Sequence, residues 1–134
     1  MPAHLTLFHQ LPPSVESEVI RRLASCAALP PPRATVAGVM DLGEGTALRI
    51  ESGDMEDIRA ELADAFHGLL TAQDQAPWRP HVTIQNKVEP REAKRLQAHL
   101  RATFRPRPLA IRGLSLWRYL GGPWDPVQKW TFRG

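Results

Sequence analysis

Two four-residue stretches carry side chains suited to proton transfer: His4-Leu5-Thr6-Leu7 and His81-Val82-Thr83-Ile84. Along an extended chain side chains alternate. In each stretch the imidazole and the hydroxyl therefore fall on one side and the two apolar residues on the other. An imidazole, with an unperturbed pKa of about 6.5, can accept or release a proton near neutral pH, and a threonine hydroxyl can donate a hydrogen bond to an anionic oxygen. Two such pairs facing each other across a cleft would supply a base, an acid and two hydroxyls, the set that phosphodiester cleavage needs. One imidazole would take a proton from an attacking water while the other protonates the departing sugar oxygen. Near the two stretches there is no carboxylate cluster of the kind that holds Mg²⁺, and a single cysteine, Cys26, argues against a thiolate zinc site, so neither metal nor cofactor is expected.

The elements that must position these residues are duplicated. At an offset of 77, Leu11 falls on Val88, Pro13 on Pro90, Val19 on Leu96 and Leu23 on Leu100. Each copy reads as an alternating strand, a turn with Pro suited to a first helical turn, and a helix. At an offset of 75 the following strands align, with Val36 on Ile111, Gly38 on Gly113 and Val39 on Leu114. Between the copies lie a strand at Thr46–Ser52 and a helix in which Asp54 can cap and Met55, Ile58, Leu62, Phe66 and Leu69 form an apolar stripe. The C-terminal residues read as a hairpin about a Gly-Gly-Pro-Trp-Asp-Pro turn. The expected order is β-α-β-β-α-β-α-β-β, an α+β fold of one domain spanning residues 1–134. Ahead of the second motif stand a strand and a helix, but only three residues precede His4. The first lobe is therefore expected to lack that leading pair, through truncation or native reduction, and to leave a sheet edge open for a homodimer contact.

Four more residues are candidates for lining the cleft. Phe8 shares the strand parity of His4 and Thr6 and could stack on a base; Gln85 shares that of His81 and Thr83. Arg79 and Lys87 share the parity of His81 and could reach phosphate. Core packing for Phe8, and solvent-exposed strand ends for the two cations, are the competing structural readings. His9 has the opposite parity, and His67 and His99 fall on helices, so capping, surface or packing roles are expected for all three. Trp78, Trp117, Trp124 and Trp130 are expected to fill core or cover hairpins rather than to stack on bases, and Cys26 to be a small buried residue.

The chain has 134 residues and a net charge of +3 that conceals an asymmetry. Residues 1–67 hold five Lys/Arg against ten Asp/Glu, and residues 68–134 hold twelve against four. Arg91, Lys94, Arg95, Arg101, Arg105 and Arg107 in the basic half would favour a polyanion such as RNA, or simply form a solvated face. No apolar run reaches the roughly 20 residues needed to cross a bilayer, and the N-terminal residues do not read as a signal peptide, so no membrane partner and a cytoplasmic location are expected.

The paired His-x-Thr-apolar motifs, the second preceded by Pro80, resemble those of the 2H phosphoesterase superfamily, specifically the group named for 2'-5' RNA ligase and RNA 2',3'-cyclic phosphodiesterase activities. The resemblance covers nearly the whole chain. It implies a bilobal, pseudo-twofold duplicated fold of antiparallel sheets with helices outside and a cleft between. It also implies His4 and His81 as the catalytic pair and Thr6 and Thr83 as phosphate binders. The expected reaction is hydrolysis of the 2',3'-cyclic phosphate of an RNA end or a small cyclic nucleotide to a 2'-phosphate, or reversible 2'-5' ligation of RNA. The alternative is a catalytically silent RNA- or nucleotide-binding domain of the same fold. By resemblance His81 is the base and His4 the acid, roles that substrate orientation could exchange.

Overall fold

The computed structural model describes residues 3–119 and 124–133. After a 3₁₀ turn at Pro13–Val15 come α1 (Glu16–Ala27), β1 (Arg33–Asp41), β2 (Thr46–Glu51), α2 (Gly53–Ala65), the short α3 (Ala72–Gln75), β3 (His81–Gln85), α4 (Pro90–Thr103), β4 (Arg107–Ala110), β5 (Gly113–Arg118) and β6 (Asp125–Thr131). One antiparallel sheet has the order β3-β2-β1-β4, and β5 and β6 form a second, two-stranded sheet. The architecture is the expected α+β, with one correction at the site itself. Residues 4–8 form no strand. Their alternation matches that of residues 81–85, but a strand is defined by a paired neighbour, and only the second motif has one here.

Helix α1 buries Val19, Leu23, Cys26 and Ala27 at helical spacing, and α2 buries Met55, Ile58 and Leu62. Together with Phe66, Leu114 and Phe132 they make the main core, against which Leu7, Phe8, Leu11 and Trp78 are packed. The cap of α2 is Ser52 rather than Asp54: its hydroxyl accepts from the Met55 N–H at 3.1 Å, while Asp54 accepts from the Arg33 N–H at 2.8 Å. Leu69 falls outside the stripe because α2 ends at Ala65 and Gly68 turns the chain at φ 85°; Leu69 is exposed. Pro90 opens α4 at its first turn, as expected, and Ala93 and Gln97 of α4 are buried against the first sheet.

The aligned strands take different partners at corresponding points. β1 carries a bulge between Val36 and Gly38, and the equivalent point of the second copy, Ile111–Arg112, is where the chain leaves β4, paired with β1, and enters β5, paired with β6. The one strand expected ahead of the C-terminal turn is thus two strands, β4 and β5, in two sheets. Its turn at Gly121-Gly122-Pro123 lies outside the described residues.

Candidate functional site

β3 is an edge strand hydrogen-bonded to β2, and its register decides which side chains meet. His81 lies opposite Arg49 and Thr83 opposite Ala47, so all four share one face of the sheet. Met40, opposite Ala47 on β1, extends that face. Beyond Thr83 the register shifts, and Gln85 rather than Ile84 pairs with Thr46. The bulge turns Gln85 to the other face, where its side-chain oxygen accepts from the buried Thr46 hydroxyl at 3.0 Å, beneath α4. Gln85 therefore does not line the face of His81 and Thr83, because strand parity fails at a bulge.

The His81 ring is held. Its Nδ1 lies 2.6 Å from the Arg79 carbonyl oxygen, which can only accept, so Nδ1 carries the proton in that bond. In the neutral ring this leaves Nε2 as the basic nitrogen. The segment carrying that carbonyl is itself anchored, since the Ile50 N–H donates to Pro80 O at 3.0 Å. Arg79 is exposed, as are Thr83 and Lys87; Lys87 adopts φ 56° in the turn between β3 and α4.

The first motif arrives differently. His4 is exposed, whereas Thr6, Leu7 and Phe8 are half-buried. The Trp78 indole N–H donates to the Thr6 carbonyl at 2.9 Å. Trp78 stands three residues before His81, so the segment that positions the second motif also touches the first. Phe8 packs on the core and lies under the Arg59 guanidinium, 4.5 Å from its ring centroid, so it serves as packing and not as an open surface for a base. His9, expected to have a capping, surface or packing role, places Nδ1 3.0 Å from the carboxylate of buried Asp74.

Sequence reasoning missed Arg49. Its guanidinium reaches Glu51 at 2.7 Å and the Ala37 carbonyl at 3.2 Å, and lies across Gly38, where a Cβ would stand 3.3 Å from Nη2. Strand parity puts Arg49 on one side of β2, but only the β2–β3 register puts it beside His81. A cavity of about 360 Å³ runs along this edge, lined by Met40, Arg49, Glu56, Trp78, Arg79 and Pro80. A larger one of about 560 Å³ lies between Arg33, Thr35, Glu51 and Pro108, and neither cavity includes a residue of either motif. Among the described residues no group of three or more His, Cys, Asp or Glu is arranged to hold a metal ion, and no helix is long and apolar enough to cross a membrane.

The surface that results offers an oriented imidazole, a neighbouring guanidinium and an exposed hydroxyl, a combination able to receive an anionic oxygen and move a proton beside it. No curated protein matches this sequence. Residues 1–123 match the model of the 2'-5' RNA ligase superfamily, and with nearly the whole chain covered the protein belongs to that family.

Proposed function

We propose that the protein is a metal-independent phosphodiesterase that opens the 2',3'-cyclic phosphate of an RNA end or a small nucleotide to a 2'-phosphate. The observation that carries this reading is the His81 ring: with Nδ1–H committed to Arg79 O, Nε2 of the neutral imidazole is the atom available to take a proton, on the face that Thr83 shares. Water gives its proton to His81 Nε2 as its oxygen bonds to phosphorus; the bond from phosphorus to O3' breaks, and His4 delivers a proton to O3'. The hydroxyls of Thr6 and Thr83 donate to the non-bridging oxygens, and the charge that builds there is worth most where water is excluded. The exposed cations Arg91, Lys94 and Arg95 are on α4, which covers the opposite face of the sheet, so they would engage only a longer RNA that passes round the β3 edge.

A pseudo-twofold relation between the lobes belongs to the same proposal, and the strand register supports it. Ala34 lies opposite Leu109, residues that the sequence offset of 75 equates, and the flanking pairs Arg33–Ala110 and Thr35–Pro108 exchange under that offset. A local axis through Ala34 and Leu109 would relate the two motif-bearing halves.

Hydrolysis of a 2',3'-cyclic nucleotide in the presence of EDTA tests the reaction. Turnover is expected to be unaffected by chelator, bell-shaped in pH, and reduced about 10² to 10⁴-fold by His4→Ala or His81→Ala. Activity lost in EDTA and restored by a divalent ion, or retained by the folded double variant, would overturn the mechanism. One observation favours the second reading, a nucleotide-binding domain without turnover: His4 is exposed and outside any strand. Binding of a cyclic nucleotide with no hydrolysis at any pH would establish that reading instead.

A further inference from the structure

Residues 6–10 enter no sheet, yet their main chain is held at both ends by side chains of α2 and of the segment leading to β3. Trp78 Nε1–H donates to Thr6 O at 2.9 Å, and Arg59 Nε–H to Leu7 O at 3.0 Å. The Asp74 carboxylate accepts from the main-chain N–H of His9 at 2.9 Å and of Gln10 at 3.0 Å, and from His9 Nδ1 at 3.0 Å. The three anchors are also joined to one another. Arg59 Nη2 donates to Asp74 O at 2.8 Å, and its guanidinium lies 4.5 Å from the Phe8 centroid and 5.7 Å from that of Trp78.

The Asp74 side chain is 1% exposed. Withdrawing a carboxylate from water to that degree is unfavourable unless hydrogen bonds replace the hydration, and here they come from consecutive backbone amides and one imidazole. Consecutive amides point to opposite sides of a regular strand, so a single carboxylate that receives both fixes the chain in a bend after Phe8. With the carbonyls of Thr6 and Leu7 fixed as well, little freedom is left to the backbone that carries the Thr6 hydroxyl. The anchor for Thr6 is adjacent in sequence to the anchor for His81: Trp78 holds the one, and the Arg79 carbonyl the other. Two consecutive residues, Trp78 and Arg79, therefore contact both motifs.

We propose that Trp78, Arg59 and Asp74 are positioning residues for the first motif, acting on the reaction through the Thr6 hydroxyl. This rests on the phosphodiesterase reading above.

The test uses Trp78→Phe, which keeps an aromatic ring but removes the N–H to Thr6 O together with part of the indole's packing surface, with Asp74→Asn as the second variant. Each is measured for kcat and KM on a 2',3'-cyclic nucleotide, alone and combined with Thr6→Ala, after circular dichroism shows it folded. Trp78→Phe is expected to lower kcat about 10-fold with KM changed less than about threefold, as a displaced reactive group does. Once Thr6 has lost its hydroxyl, the same change is expected to cost less than about twofold, because coupled residues are not additive. A merely structural contribution would lower kcat by the same factor in both backgrounds, and that result overturns the proposal, as does a folded Trp78→Phe with unchanged kcat. Should Asp74→Asn fail to fold, Trp78→Phe alone decides. A wild-type protein with no turnover at all overturns the reaction itself and the positioning role with it, whereas an active wild type with additive losses overturns only the role.

Discussion

Replacing Gly45 with alanine is expected to cost about 2 kcal/mol of folding stability. Gly45 leads into β2 where that strand runs against the end of β3. A Cβ at this position collides with the Gln85 carbonyl oxygen and stands 2.9 Å from Asn86 Cα and 3.1 Å from the Gln85 carbonyl carbon. These are main-chain atoms and cannot swing aside as a flexible side chain does. Neither is Gly45 free to retreat: its carbonyl accepts from the Leu42 N–H at 3.0 Å and from Gln97 Nε2 at 3.1 Å, and Thr46 beside it is fully buried. Relief requires β3 to move away from β2, which strains the ladder on either side of the bulge. Overpacking of this kind costs about 1–3 kcal/mol. With a urea dependence of about 1–3 kcal/mol per molar, a loss of about 2 kcal/mol lowers the unfolding midpoint by about 1 M. Gly53→Ala is the matched control. Nothing lies within 4 Å of a Cβ there, and Gly53 is the first residue of α2, so alanine should be neutral or stabilise by up to about 1 kcal/mol. Urea titrations of the three proteins, followed by far-ultraviolet circular dichroism, measure both effects. A Gly45→Ala midpoint within about 0.3 M of wild type, or an equal fall for Gly53→Ala, would refute the steric argument.

Three further outcomes are expected. Burial pushes the Asp74 carboxyl up, but the hydrogen bonds from His9 and Gln10 outweigh it and hold the group below the usual carboxylate range. The stability it contributes is therefore complete above the unfolded value of about 3.9 and is lost as pH falls through the lower folded value. Thermal melts from pH 6 to pH 2 should show the gap between wild type and Asp74→Asn narrowing below about pH 4; a constant gap would contradict the assignment. Thr46→Val removes a hydroxyl that donates to Gln85 and accepts from Gln97 Nε2 at 3.2 Å, and should cost about 1–3 kcal/mol in the same urea assay. Burial, reinforced by Glu61, raises the Cys26 thiol above its ordinary value, so the native protein should resist a thiol-specific reagent until it unfolds; rapid native labelling would be inconsistent with the buried α1 face.

What was legible in the sequence followed from local periodicity, and what was not depended on partners far along the chain. The stripe of Met55, Ile58 and Leu62 and the Pro90 start of α4 are local, and the structure keeps them. The alternation at residues 4–8 is as regular as that at 81–85, but whether a strand results depends on a neighbouring edge, which alternation does not encode. Gln85 was misplaced by a bulge for which the stretch Thr83-Ile84-Gln85 carries no mark; the nearest signal was Gly45 across the sheet, where close backbone approach requires glycine. Arg49 entered the candidate site through register alone. His9 and Trp78 were assigned structural roles on parity and composition, and their contacts with Asp74 and Thr6 span 65 and 72 residues of sequence.

Besides the His9 ring and the packing of Leu7 and Phe8, the contacts that hold residues 6–10 address main-chain atoms: two carbonyls and two amides. Every amino acid supplies the carbonyl, and every one but proline supplies the amide. At Gln10, whose side chain is exposed, the recognition is thus blind to residue type and refuses only the imino acid. At position 10 the spelling can drift while the chain's place in the molecule stays fixed. Inheritance of the first motif's geometry resides instead in Arg59, Asp74 and Trp78, three letters written far from the segment they hold.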